Sequence, residues 1–370
     1  MALPRSRYVK EGEEGVFHCY SRCVRRAFLC GYDAATGRDF SHRKKWIEDR
    51  LRFLASIFAI DVCAYAIMEN HPHTVLRTRP DILASWSNHD VAARWLRLFP
   101  QKRNTAPLEQ QIQRLAELTE RISVLRKRLC SVSWFMAQLN EFIARKANKE
   151  DNVKGRFWES RFKCQVLLDE AATASCMVYV DLNPIRAGLA STPENSDFTS
   201  IQERIRAWRK KIVESSPDTD TAKSTQPLQQ AFAADIPPQC QKGTGLATPE
   251  MVPATDFSPG SQSHTDSWLC PIQSDARRRG ILQMSETEYF ALLDRSGRMI
   301  RADKPGFIDA SLEPILHRIG AIPEAWNQTV SHFGSAFRLA AGKLSRMREF
   351  ADRVEKTWFT GLSAARSAFT

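Results

Sequence analysis

Residues 58–78, FAIDVCAYAIMENHPHTVLRT, contain the pattern from which the fold can be predicted. The first part, 58–68, is an apolar run with β-branched and aromatic residues, which is typical of a buried strand. The segment ENHPH interrupts that run, and TVLRT at 74–78 predicts a second, shorter strand. Because the connection is so short, we expect the two strands to be antiparallel neighbours in one sheet.

The flanking segments extend this pattern. Residues 15–22, GVFHCYSR, alternate apolar with polar side chains and predict another strand, while 41–57 place apolar residues at helical spacing. The order strand, helix, strand, turn, strand within about 80 residues indicates an α+β protein with a central antiparallel sheet and helices packed on one side. Residues 80–150 predict a helical insertion, including an amphipathic helix over 108–129.

The second half of the chain changes character twice. Residues 155–166 predict a loop that leads into a strand, 168–183 a helix, and 198–213 a basic helix. A Pro-, Ser-, Thr- and Gln-rich stretch at 214–273 predicts a disordered linker. Residues 274–360 return to helical spacing and predict an all-helical C-terminal module. We therefore expect three parts: a domain at 8–213, the linker, and the module.

Charge and composition narrow the class of partner. The chain has 370 residues and a formal net charge of +11. The first 213 residues contain 36 basic and 24 acidic side chains, whereas 214–273 contain 2 and 7, so the positive excess lies in the N-terminal domain. A basic domain favours a polyanion such as nucleic acid, and a soluble basic enzyme is the alternative.

No apolar run is long enough to span a membrane, and the N-terminus lacks the apolar segment of a secretory signal. Nine scattered cysteines then predict free thiols in the cytoplasm. Of these, Cys19, Cys23 and Cys30 cluster with His18, but zinc sites usually show tighter Cys pairs, so we expect half-buried thiols.

Two groups of residues carry candidate chemistry. His71 and His73 flank Pro72 between the two predicted strands, and residues two apart on a strand point to one face, where two imidazoles can share a divalent metal ion. Tyr179 and Asn183 are four apart on a predicted helix and therefore lie on one face of it. A tyrosine hydroxyl can act as a covalent nucleophile, and an amide oxygen can complete a metal shell. Taken singly, either group could be ordinary loop or packing residues.

Together, and in chain order, these segments resemble a known family. The stretches YAIMENHPHTVLR at 65–77 and YVDLNPIRAGLA at 179–190 resemble the histidine and tyrosine-helix signatures of the HUH single-stranded-DNA transposases. The subgroup they resemble is the REP-associated tyrosine transposases, of the IS200-like type. VFHCYSRCVRRAFL at 16–29 and GRFWESRFKCQVLLDEA at 155–171 resemble further pieces of the same domain. The resemblance covers roughly 8–206, interrupted by the helical insertion.

The resemblance implies a ferredoxin- or RRM-like fold and a set of roles. Tyr179 matches the nucleophile, and His71, His73 and Asn183 match the ligands of Mg²⁺ or Mn²⁺. It further implies a single-stranded DNA partner with hairpin or repeat ends, cleaved and rejoined through a 5′-phosphotyrosine. Our candidates for binding the DNA backbone are Arg22, Arg25, Arg26, Arg161, Lys163 and Arg186.

Three aromatic residues beside these, Phe157, Trp158 and Phe162, could stack on unpaired bases, although we expect at least two of them to pack in the core. The helix at 108–129 could form a homodimer, with internal packing the stronger expectation.

The chain departs from the family pattern in two places. Pro72 stands where the family usually has a bulky apolar residue, and Glu69 where it often has proline. Because proline removes a ladder N–H, we expect strand pairing to be disturbed at position 72. A catalytically inactive, nucleic-acid-binding descendant is therefore the alternative function. A third interpretation is an unrelated metal hydrolase in which Asp61 or Glu69 adds a ligand to the histidine pair, but it leaves YVDLNPIRAGL unexplained.

Overall fold

The computed structural model of the protein describes residues 4–10, 12–24, 29–34, 36–101, 103–215, 268–299, 323–356 and 360–369. Most of the predicted linker, 216–267, lies outside these ranges, as do 300–322 of the predicted C-terminal module.

The described elements follow in chain order. The strands are β1 (Val16–Tyr20), β2 (Tyr32–Asp33), β3 (Arg38–Asp39), β4 (Ile60–Ile67), β5 (Pro72–Thr78), β6 (Lys163–Leu167) and β7 (Ala340–Ala341). The helices of the first 215 residues are α1 (Arg43–Ile57), α2 (Pro80–Ser85), α3 (Asn88–Leu98), α4 (Leu108–Glu117), α5 (Thr119–Leu129), α6 (Val132–Glu150), α7 (Glu170–Asp181), α8 (Asn183–Arg186) and α9 (Ser200–Ser215). Those that follow are α10 (Glu286–Met299), α11 (Pro323–Ala336), α12 (Leu344–Arg353) and α13 (Leu362–Ala368). Two short 3-10 helices lie at Arg5–Arg7 and Pro193–Asn195.

Five strands form the central sheet in the order β4-β5-β1-β6-β7. The first four are antiparallel to their neighbours, and β7 joins β6 in parallel. With α1 between β1 and β4 and α6 before β6, the chain runs β-α-β-β-α-β, which is the ferredoxin-like arrangement. The fold is thus α+β with a central antiparallel sheet, as the sequence predicts, and the strands begin and end within about two residues of the predicted positions where the pattern is strongest.

Helices cover both faces of this sheet. On one face, Thr74 Oγ1 lies 3.8 Å from Met136 Sδ of α6, and its strand neighbour Tyr65 donates a hydrogen bond to Glu48 of α1. Successive residues of a strand point to opposite faces, so His73 lies on the other one. There the ring of Tyr179, on α7, lies 5.7 Å from the His73 ring. The expectation of helices on one side is therefore right for α1 and α6 and wrong for α7.

The sequence explains why α7 can occupy that face. Asp169 caps its first turn by accepting a hydrogen bond from the backbone N–H of Ala172. From Ala171 to Asp181 every residue except Tyr179 is buried, and most are small or apolar. A helix that is apolar on all sides has to be surrounded by protein. The chain leaves it through the short helix α8, which ends before Gly188 with its left-handed φ of 69°.

The predicted single helix at 108–129 is instead two helices, α4 and α5, that meet at Leu118. The backbone of Leu118, with φ −82° and ψ 75°, leaves the helical region there. Ile112, Ile122 and Leu125 point into the core, because both helices pack against α3. Internal packing therefore accounts for the apolar spacing that predicted a longer helix.

The described C-terminal segments belong to the same compact unit as residues 1–207. Helix α11 packs on α7, and β7 extends the sheet, so the C-terminal part is helical apart from this two-residue strand. Two buried arginines, Arg77 and Arg204, hydrogen-bond to the first described segment of the C-terminal part. Arg77 donates to the carbonyls of Arg279 and Gly280, and Arg204 donates to the carbonyl of Cys270.

Candidate active site

The candidate site lies on the α7 face of the sheet, where the ends of β1, β5 and β6 meet. Tyr20 of β1 lies opposite His73 of β5 on one side and opposite Lys163 of β6 on the other. His18, two residues earlier on β1 and therefore on the same face, lies opposite Gln165. The histidines, the tyrosine helix and the basic residues that precede β6 thus meet at one end of the sheet.

The histidine pair adopts the predicted geometry. The imidazole rings of His71 and His73 are 4.5 Å apart between centroids and lie edge to face. Pro72 is the first residue of β5 and pairs with Ile67, and the His71 carbonyl accepts the N–H of Met68. The first position of a strand tolerates a missing N–H, so the expected disturbance of strand pairing at Pro72 is wrong.

Both imidazoles use Nδ1 for a hydrogen bond within the protein. His71 Nδ1 bonds to Asn70 Oδ1, and His73 Nδ1 lies 2.9 Å from His18 Nε2. The Nε2 atom of His73 is buried and has no hydrogen-bond partner in the described structure. Burial lowers the pKa of His18 and of His71 to about 4, and it holds the pKa of His73 well below its usual value. All three rings are therefore neutral near pH 7.

Tyr179 faces these rings from the third turn of α7. Its ring lies edge-on to His73 at 5.7 Å and to His18 at 6.0 Å, and the side chain of Asn183 lies beside it, one turn later. The predicted i, i+4 pair is thus brought together although Asn183 already belongs to α8. Burial raises the pKa of Tyr179, which makes its hydroxyl a weak nucleophile unless positive charge lies close by.

Arg186 supplies such a charge. Its guanidinium lies over the Tyr179 ring, 5.2 Å from the centroid. Its Nε, Nη1 and Nη2 atoms are all buried, and none has a hydrogen-bond partner among the described residues. Burial lowers the pKa of Arg186 to about 10, with Tyr179 acting in the opposite direction. Because an unpaired buried cation is costly, this guanidinium is placed to receive an anion beside the tyrosine hydroxyl.

Few protein atoms in this site could coordinate a divalent cation. The described residues include no group of three or more His, Cys, Asp and Glu side chains placed to hold a metal ion. His18 is not a third ligand, because both of its ring nitrogens are already hydrogen-bonded. What remains is the two histidines and the amide of Asn183, whose Nδ2 is buried without a hydrogen-bond partner in the described part of the chain. These donors fit a cation whose other ligands are water and substrate oxygens.

The remaining predicted DNA-binding residues fall into two groups. Arg22, Arg161 and Lys163 are exposed, and Lys163 and Arg22 lie close to the end of the sheet that carries the histidines. Arg25 and Arg26 lie outside the described residues. Of the aromatic candidates, Phe157 and Phe162 are buried in the core, as expected, and Trp158 donates its indole N–H to the Asn140 carbonyl.

Sequence reasoning did not place Gln165 or Phe333 in the site, and it grouped His18 with three cysteines rather than with the histidine pair. The alternation of GVFHCYSR already places His18 on one face with Tyr20 and apart from Cys19, and that was the available signal. Phe333 carries no such signal, because it belongs to α11 in the C-terminal part. Its ring lies 6.0 Å from Tyr179 and 6.5 Å from His18, and the next residue, Gly334, touches the tyrosine hydroxyl closely enough that a Cβ atom there would be 2.9 Å from it.

Comparison with known proteins adds one likeness. No family model matches the chain, and no curated protein matches it. Among solved structures, that of a REP-associated tyrosine transposase bound to a REP hairpin aligns with a TM-score of 0.30 and 12% sequence identity, covering 62% of this chain and 100% of that one. This likeness is too weak to assign the chain to a family. In the part of the chain that the structure describes, no helix is both long and apolar enough to cross a bilayer.

Proposed function

We propose that this protein cleaves and rejoins single-stranded DNA through a covalent phosphotyrosine, with Tyr179 as the nucleophile and the DNA as a hairpin or repeat end. The observation that carries the proposal is the position of Tyr179. Its ring lies edge-on to the neutral His73 and 5.2 Å from the buried guanidinium of Arg186, which has no hydrogen-bond partner among the described residues. Such a setting suits a phosphodiester, whose negative charge would satisfy Arg186 while its phosphorus faces the hydroxyl.

The reaction needs no water and no nucleotide. The Tyr179 oxygen attacks the phosphorus, the bond from phosphorus to the 3′ oxygen breaks, and the phenol proton ends on that 3′ oxygen. The products are a 5′-phosphotyrosine and a free 3′-hydroxyl, which can reverse the step or be replaced by the 3′-hydroxyl of another strand. The ester bond is conserved throughout, so no energy source is required.

Each side chain has a role in this step. Arg186 binds a non-bridging phosphate oxygen. It stabilises the negative charge that develops on that oxygen as the bond from Tyr179 to phosphorus forms. Asn183 lies one turn from Tyr179, and its Nδ2, which has no hydrogen-bond partner among the described residues, would donate to the Tyr179 oxygen as that oxygen loses its proton. Bound by His71, His73 and Asn183, Mg²⁺ or Mn²⁺ would supply further positive charge at the phosphate. The exposed Arg22, Arg161 and Lys163 would hold the backbone of the flanking strand.

The test is a covalent adduct on a denaturing gel. Purified full-length protein is mixed with single-stranded DNA from the ends that flank its gene, with Mg²⁺ or Mn²⁺. We expect an adduct from the wild type, none from Tyr179→Phe, and an adduct of normal yield from Tyr20→Phe. Tyr20 is the matched control because its ring also lies against His73, at 5.5 Å.

An adduct that persists in Tyr179→Phe would overturn the assignment of the nucleophile. Absence of an adduct from the wild type, with salt-sensitive binding of the same DNA intact, would overturn the cleavage reaction and support the inactive nucleic-acid-binding descendant.

A further inference from the structure

His18 and Gln165 form a chain of hydrogen bonds that ends at His73. Gln165 Oε1 lies 3.2 Å from His18 Nδ1, and His18 Nε2 lies 2.9 Å from His73 Nδ1. The three side chains come from β6, β1 and β5, which are adjacent strands, and all of them are buried, with exposed fractions of 1–3%. The ring centroids of His18 and His73 are 5.2 Å apart, and the planes of the two rings are inclined by only 14°.

The direction of the hydrogen bonds follows from the groups involved. A carbonyl oxygen such as Gln165 Oε1 can only accept, so His18 Nδ1 carries the proton of that bond. In a neutral imidazole the other nitrogen then has the lone pair, so His18 Nε2 accepts and His73 Nδ1 donates. By the same rule His73 Nε2 has a lone pair, and this is the buried atom without a partner in the described structure.

We propose that Gln165 and His18 are positioning residues that hold His73 in the Nδ1–H tautomer, with the Nε2 lone pair directed into the site beside Tyr179 to bind a divalent cation. This inference rests on the proposed function for what the lone pair is used for, and on the hydrogen-bond chain for the tautomer itself. Histidines that bind metals are commonly oriented by a partner on the other ring nitrogen, and loss of that partner costs 10- to 100-fold in affinity.

His71 is held in the same tautomer by a single hydrogen bond to its neighbour in the sequence. Its Nδ1 bonds to Asn70 Oδ1, the side chain of the preceding residue, which leaves the lone pair on Nε2. The two histidines would thus present the same atom to one cation. His71 gets its acceptor locally, whereas His73 depends on residues 55 and 92 positions away in the sequence.

The opposite orientation of the Gln165 amide makes a different prediction. If its NH₂ group faced His18, every proton in the chain would move, and His73 Nε2 would carry a hydrogen. His73 would then donate to a phosphate oxygen and could not bind a cation. The two arrangements therefore differ in whether His73 Nε2 carries a proton, and NMR can determine this directly.

The experiment has two arms on the full-length protein. In the first, long-range ¹H–¹⁵N spectra of metal-free, ¹⁵N-histidine-labelled protein are recorded, with His73→Gln used to assign the signal. We expect His73 to show a protonated Nδ1 and an unprotonated Nε2. A protonated Nε2 would overturn the inference, whether or not the protein cleaves DNA.

The second arm measures Mn²⁺ affinity by calorimetry, without DNA. We expect His18→Phe and Gln165→Leu to weaken binding at least tenfold, and Gln165→Glu, which keeps an acceptor for His18 Nδ1, to stay within about threefold of the wild type. Gln138→Leu is the matched control, because this buried glutamine lies on α6, on the other face of the sheet.

Affinity within threefold of the wild type in folded His18→Phe would overturn the positioning role. Because neither arm requires cleavage, a missing DNA adduct would count against the proposed function alone.

Discussion

Arg186→Met should make the free protein more stable while weakening its binding to DNA. Methionine keeps the length of the arginine side chain and removes the guanidinium, whose three nitrogens are buried without a hydrogen-bond partner among the described residues. The cost of that burial appears in the pKa of Arg186, which falls from its ordinary value to about 10. Because the pKa in the folded protein is the lower one, the cost is fully present below about pH 10 and is lost gradually as pH rises from there to the ordinary pKa of arginine.

The magnitude follows from this difference. Each pKa unit corresponds to about 1.4 kcal/mol, which sets an upper limit of roughly 3 kcal/mol for the relief. Solvent near a partly buried side chain reduces it, and lost contacts with the Tyr179 ring oppose it, so we expect a net gain of about 1–2 kcal/mol in the free energy of unfolding.

Urea denaturation at pH 7 measures the gain, with Arg22→Met as the control. Arg22 is an exposed cation close to the same histidines, so its loss should change stability by less than about 0.5 kcal/mol. Binding to a short single strand, followed by fluorescence anisotropy over a range of salt concentrations, should weaken in both variants, and each should lose about 0.7 from the salt slope. A loss of stability in Arg186→Met would refute the reasoning, because it would mean that the guanidinium is already satisfied in the free protein.

Three further changes test other parts of the structure. Burial raises the pKa of Asp181 to about 6, so its contribution to stability is complete below pH 4 and is lost as pH rises through 6; urea titrations should show a fall of about 1–3 kcal/mol that is absent in Asp181→Asn. Gly334→Ala places a Cβ atom 2.9 Å from the Tyr179 hydroxyl, so the amount of covalent adduct should fall several-fold. An unchanged amount of adduct would show that α11 can shift to make room for the methyl group. Arg77→Met removes one of the two arginine partners of Asp61, which keeps Arg79, and it leaves the carbonyls of Arg279 and Gly280 without their guanidinium donor; thermal unfolding should report a loss of about 2–5 kcal/mol.

Some residues of the candidate site could be predicted from local sequence spacing, whereas others depend on contacts between distant parts of the chain. The pairs His71–His73 and Tyr179–Asn183 could be predicted, because strand and helix periodicity place residues two or four apart on one face. Pro72 was expected to disturb the strand, and it does not, because β5 begins at that residue. Local spacing does not reveal where a strand starts to pair, so this outcome depended on its partner, β4.

The position of Arg186 could not be predicted by counting basic residues. As one of many basic residues, it was predicted to contact DNA in the same way as Arg22 or Lys163. In the structure those two are exposed, whereas the Arg186 nitrogens are buried beside Tyr179. Burial distinguishes a cation that has lost its hydration from cations that water solvates, and burial is a property of the folded chain.

The sequence by itself determined the local elements, their order and the α+β class, because apolar periodicity and the lengths of connections are local properties. Only the tertiary structure decided that α7 covers the second face of the sheet, that Phe333 and Gly334 of α11 lie against Tyr179, and that Gln165, His18 and His73 align. These contacts join residues 55 to 155 positions apart. They depend on the register of three strands and on which surfaces remain to be buried, and no local pattern in the chain encodes either.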